Sequence, residues 1–175
     1  MIFYAVAAGL FFILKLFFAF FAENEHFNFI LVPVSFIVEI FTGTSYVSVP
    51  ESNGLYFGEL NILIDRSCSG YNFLLLCFIM LAFLCLRFFP KPVHKLFVIL
   101  IALFFAYCVT IFVNAARIIV SLVVQNTFSN FWPQQYSSLL HEACGIVVYL
   151  GFLIIIYMVS EKLLSSRVHH NEKSA

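Results

Sequence analysis

The chain has 175 residues, of which 63% are hydrophobic and 10% charged, and its mean hydropathy of +1.02 lies far above that of soluble domains. It reads as a polytopic, all-α membrane protein. Formal net charge is zero and no basic cluster stands out, so nucleic acid has no electrostatic footprint on it.

From the N-terminus, residues 2–21 are apolar apart from Lys15 and lack a basic leader or a small-residue cleavage site. They are expected to be a retained membrane span and not a cleaved signal peptide. Residues 27–41 form a shorter apolar run that carries Pro33 and Glu39, which fits a kinked span or a re-entrant segment. Glu39 is the one carboxylate in this run, and it could face a cavity.

The long polar stretch, 42–67, contains Pro50, a Ser52-Asn53-Gly54 turn signal and partly alternating apolar residues. This pattern predicts a small hairpin at the membrane surface. The segment DRSCSG, 65–70, then turns abruptly into the apolar run 69–88. A cysteine at the polar edge of a span differs from Cys77, Cys85, Cys108 and Cys144, which read as small apolar residues. Five cysteines without Cys-x-x-Cys spacing suggest neither a disulfide framework nor a metal site.

The next apolar run covers 96–124 and the last 145–159. Arg87, Lys91 and Lys95 precede the former, and Lys162, Arg167 and Lys173 follow the latter, so both segments are expected in the cytoplasm. His26, His94, His169 and His170 are read as solvated on that side. The segments 42–67 and 125–140 then lie outside, and with five crossings so does the N-terminus. One membrane domain, 1–175 with its core at 63–157, is expected.

This topology brings three groups to one depth. Cys68 opens one span on the outer side, and His141 opens another. Arg117 lies 21 residues beyond Leu96, ~31 Å along a helix and thus one bilayer core higher. Asn114 and Ser121, three residues before and four after Arg117, share its helix face and could bind substrate or position the guanidinium. A thiol, an imidazole and a guanidinium suffice for acyl transfer through a cysteine nucleophile. A helix N-terminus would lower the thiol pKa of Cys68, and Gly70 would let a substrate backbone approach. Each residue alone has a plainer explanation: a small capping residue, an arginine snorkelling to headgroups, an interfacial histidine. Glu142 would point about 100° away from His141 and reads as a first-turn carboxylate; Asp65 and Arg66 could pair or bind substrate.

The Cys68-Ser69-Gly70 opening a span, the Asn114-x-x-Arg117 near the end of the next and the His141 with Gly145 on the one after it resemble the exosortase/archaeosortase family. The small size is most similar to the short branch called exosortase K. The resemblance implies a prokaryotic inner-membrane cysteine transpeptidase with its active site at the outer face. Its substrates would be membrane-anchored proteins with a C-terminal sorting signal, and a surface lipid or glycan would accept the acyl group. Cys68, Arg117 and His141 would be catalytic, with Ser69, Gly70, Asn114 and Ser121 supporting, and no metal or cofactor is called for. The competing expectations are a small transporter or channel component lined by Glu39, Arg117 and His141, and a non-catalytic assembly subunit.

Overall fold

A computed structural model of the chain describes residues 2–21, 27–49, 54–88, 95–128 and 137–173, without the side chains at 21, 128, 137–140 and 167–173. The expected all-α membrane architecture is present. Five helices occur among the described residues: α1 (Ile2–Phe21), α2 (Asn28–Thr42), α3 (Tyr71–Phe88), α4 (Lys95–Phe128) and α5 (Ser137–Lys173). Four of them, all but α2, are long and apolar enough to cross a membrane. Water is absent from hydrocarbon, so a spanning chain must satisfy its backbone within itself, and uninterrupted apolar helices do so. With its 15 residues, α2 reaches only ~22 Å, short of the ~30 Å hydrocarbon core.

By contacts, the chain forms two compact units. One comprises Met1–Phe21, Asn72–Thr110 and Phe152–Ala175, the other Ala22–Tyr71 and Ile111–Gly151. In the first unit, α1 runs antiparallel to α3. Tyr4 and Phe83 pack with tilted rings, centroids 5.1 Å apart, and Lys15 donates to Asn72 Oδ1 over 2.7 Å. The two pairs are separated by the same number of residues on each helix, which only an antiparallel pairing allows. Lys15, the one charge in the first span, thus has a polar partner at the start of α3. The Lys95 ammonium sits 5.7 Å from the centre of the Phe3 ring. The N-terminal end of α1 and the basic start of α4 therefore share one end of this unit. That arrangement corrects the expectation of an N-terminus outside: if the basic connection is cytoplasmic, so is the beginning of α1.

In the second unit, the expected hairpin is one strand larger. β1 (Tyr46–Val49), β2 (Gly54–Phe57) and β3 (Ile62–Ile64) form an antiparallel sheet in the order β1-β2-β3. Tyr46 pairs with Phe57 across β1 and β2, and Leu55 with Ile64 across β2 and β3. Pro50, Ser52 and Asn53 lie outside the described residues; Gly54 opens β2, where a Cβ would come within 2.9 Å of Leu63 Cδ1. The turn between β2 and β3 has Asn61 in the left-handed region (φ 51°), tolerated because an Asn side chain bonds locally, and Tyr56 donates to its Oδ1 over 2.9 Å. Leu55, Phe57 and Ile64 are buried, and α2 packs on β2 through a face that buries Ile30, Leu31, Val34 and Val38. α2 ends where Gly43 adopts φ 71° and its N–H closes on the Glu39 carbonyl at 2.8 Å. Glu39 itself is half-buried on α2.

α4 is continuous for 34 residues, so the uninterrupted rise from Leu96 to Arg117 assumed from the sequence holds. α5 begins at Ser137, so His141 stands one turn inside the helix instead of at its opening.

Candidate functional site

DRSCSG folds as a compact turn ahead of α3. The Asp65 carboxylate accepts from the Ser67 N–H at 2.9 Å and from the Ser67 hydroxyl at 2.6 Å, capping a 3-10 turn over Arg66–Cys68. Asp65 is thus a cap, while the Arg66 guanidinium lies 5.3 Å from the centre of the Phe27 ring. Ser69 is buried and its hydroxyl accepts from the Tyr71 N–H at 3.4 Å, so it caps the start of α3. Cys68 therefore sits on the 3-10 turn just before α3 and not in its first turn.

Gly70 follows with φ 71°, a conformation that side-chain-bearing residues rarely adopt. A Cβ there would also meet Asn114 Cγ and the Tyr149 hydroxyl, each at 3.0 Å. The space beside Gly70 is filled by these two side chains and not left open to an incoming backbone.

The turn delivers the thiol to an imidazole. Cys68 Sγ lies 3.7 Å from His141 Nε2, and the other ring nitrogen, Nδ1, lies 2.5 Å from Ser121 Oγ on α4. Gln125 donates to the same hydroxyl at 3.4 Å. A serine hydroxyl both donates and accepts, so Ser121 can hold either neutral tautomer of His141 and can equally accept Nδ1–H from the cation. Glu142 is exposed and is not among the residues around this pair, as its helix position predicted.

Behind the pair lies a second network. Asn114, fully buried, donates through Nδ2 to the Cys68 carbonyl at 2.6 Å and accepts at Oδ1 from the Tyr149 hydroxyl at 2.6 Å. Arg117, 9% exposed, donates from Nη1 to that hydroxyl at 3.3 Å and lies with Cζ 5.1 Å from the Tyr149 ring centre. Its Nε is buried without a hydrogen-bond partner among the described residues. Gly145 makes room for it, since a Cβ at that position would fall 2.5 Å from Arg117 Nε. A charge in such a place is costly, and the tyrosine ring and hydroxyl offset part of that cost.

A cavity of about 250 Å³ opens beside the thiol, lined by Asn61–Ile64 of the sheet region, by Cys68 and His141, and by Ile118, Ser121, Leu122 and Gln125 of α4. Cys68, His141 and Ser121 thus meet at one cavity. Arg117 and Asn114 are not part of its lining and belong to the network behind the pair. Tyr149 was not anticipated, although it lies on the face of α5 shared by His141 and Gly145, two turns after the first and one after the second. Among the described residues no group of three or more His, Cys, Asp or Glu could hold a metal ion.

A thiol set against an imidazole whose other nitrogen meets a hydroxyl is an arrangement that can support acyl transfer through cysteine. The chain belongs to the transmembrane exosortase family, whose model matches residues 2–158. No curated protein and no solved structure matches it.

Proposed function

We propose that the protein is a membrane cysteine transpeptidase that cleaves the C-terminal sorting signal of exported, membrane-anchored proteins at the outer face of the cell membrane. The observation that carries this reading is the thiol–imidazole pair: Cys68 Sγ 3.7 Å from His141 Nε2, with Nδ1 held by Ser121. His141 takes the thiol proton, and the thiolate attacks the scissile carbonyl, forming a C–S bond. The C–N bond then breaks as the imidazolium protonates the leaving amine, which departs with the sorting signal. An amine carried by a surface lipid or glycan attacks the thioester while His141 takes its proton, and the thiol is regenerated when that proton returns. Water in place of the amine would make the reaction a hydrolysis.

Arg117 has two supporting roles in this scheme. Its charge favours the thiolate and the oxyanion through a low-dielectric layer, and its bond to Tyr149 keeps Asn114 on the Cys68 carbonyl. The few spans fit the short exosortase K branch of the family.

The test is to trap the thioester. Cells producing the protein are lysed in acid, and hydroxylamine-labile adducts are sought on Cys68 by mass spectrometry alongside the sizes of the anchored surface proteins. Wild type is expected to carry an adduct that is missing in Cys68→Ala, while Cys68→Ala and His141→Ala retain unprocessed substrates. Normal processing in Cys68→Ala would sink the proposal.

A further inference from the structure

The sheet ends at β3, with no further strand beyond it among the described residues. Yet four consecutive residues, Asn61, Ile62, Leu63 and Ile64, line the cavity that holds the thiol. Side chains on a strand point alternately to opposite faces, so a wall to which Ile62, Leu63 and Ile64 of β3 all contribute includes their main-chain edge, with Asn61 of the preceding turn beside it. Such an edge presents unpaired N–H and C=O groups, a template for another strand. It runs directly into the Asp65-capped turn that carries Cys68. Ile118 and Leu122 of α4, one helical turn apart, form an apolar wall of the same cavity.

We infer that the β3 edge is the main-chain recognition subsite for the substrate. The extended segment next to the scissile bond adds to Ile62–Ile64 as a fourth strand, with an apolar side chain against Ile118 and Leu122 and the reacting carbonyl at Cys68 Sγ. The occupant is a polypeptide in extended conformation because only a peptide backbone offers donors and acceptors at the spacing of a strand edge. A three-residue edge reads only a few positions beside the cleavage point. The inference rests on Cys68 being the nucleophile.

The experiment uses tetra-alanine chloromethyl ketone, which alkylates a thiolate with formation of a C–S bond and departure of chloride. It is compared with analogues N-methylated at one amide at a time. The full-length protein in its native membranes is treated with each reagent, and modification of Cys68 is followed by mass spectrometry, with iodoacetamide as the measure of intrinsic thiol reactivity. The expected result is alternation: methylation at every second amide slows labelling at least tenfold, and methylation at the amides between leaves it unchanged. Leu122→Trp, which fills the apolar wall, should slow the peptide reagents and not iodoacetamide. Indifference to N-methylation, or equal slowing at every position, overturns the subsite while leaving the nucleophile in place. A Cys68 that neither reagent modifies overturns the nucleophile and the subsite together.

Discussion

The hydroxyl of Tyr149 donates to Asn114 Oδ1 over 2.6 Å, and through Asn114 it reaches the backbone carbonyl of Cys68. A residue two turns beyond His141 on α5 therefore fixes the turn that carries the thiol. Tyr149→Phe removes one hydroxyl and leaves the buried Asn114 oxygen and the Arg117 fork without it. A buried polar group left unpaired costs about 1–3 kcal/mol. Substrate processing should fall about ten- to a hundredfold, at 1.4 kcal/mol per factor of ten, with the amount of protein in the membrane nearly unchanged. Asn114→Ala should have a similar effect, and the double variant should be scarcely worse than either alone, because both break one chain of bonds. The check is a double-mutant cycle on the rate of substrate processing; additive effects would show that the two residues act separately.

Ser121→Ala frees the Nδ1 side of His141, which has Ser121 Oγ 2.5 Å away. The imidazole then loses the group that orients it toward Sγ, and processing should drop by roughly tenfold, the usual scale of a lost hydrogen bond of ~1 kcal/mol or more. Ser121→Thr keeps the hydroxyl and should restore most of the rate. Loss of activity in both variants at normal protein level would argue for packing and not for the hydroxyl.

Two glycines on α5 separate space from helix propensity. A Cβ at Gly145 falls 2.5 Å from Arg117 Nε, whereas a Cβ at Gly151 meets nothing within 4 Å. Gly151→Ala should leave processing intact and raise thermal stability slightly, since alanine favours a helix over glycine by up to ~1 kcal/mol. Gly145→Ala must push the guanidinium off the Tyr149 ring, and processing should be lost although the protein still inserts. Size-exclusion profiles in detergent and processing assays on the two variants make the comparison; equal activity would mean that the placement of Arg117 is not required.

The antiparallel pairing of α1 with α3 puts the N-terminus at the opposite end of this helix pair from the start of α3. A cysteine introduced just before Ile2 should react with a membrane-impermeant maleimide only after the cells are opened, whereas Cys68 should react in intact cells. Labelling of both from outside would require α2 to complete a crossing.

Much of this architecture is legible in the sequence. In hydrocarbon a single segment can satisfy its own backbone only as a helix, so apolar runs of sufficient length announce α1, α3, α4 and α5 without reference to their neighbours. The fixed rise of a helix likewise places Arg117 far along α4 from Leu96, because α4 is unbroken between them. Polar residues three and four apart announce that Asn114, Arg117 and Ser121 share a face, and all three are buried.

What the tertiary structure alone decided is which atoms touch. Helical periodicity gives a face and not its neighbour, so nothing in the chain foretold that Ser121 would face His141 while Arg117 would turn to Tyr149, or that Gly70 would leave its space to Asn114 and Tyr149. The third strand lacked a signal because three residues, Ile62–Ile64, are too short for alternation to speak. The sidedness of the N-terminus hung on one short helix, α2, and counting apolar runs cannot tell a crossing from a helix that stops short; the packing of Tyr4 on Phe83 and of Lys15 on Asn72 can, because side-chain contacts fix the direction of one helix against another.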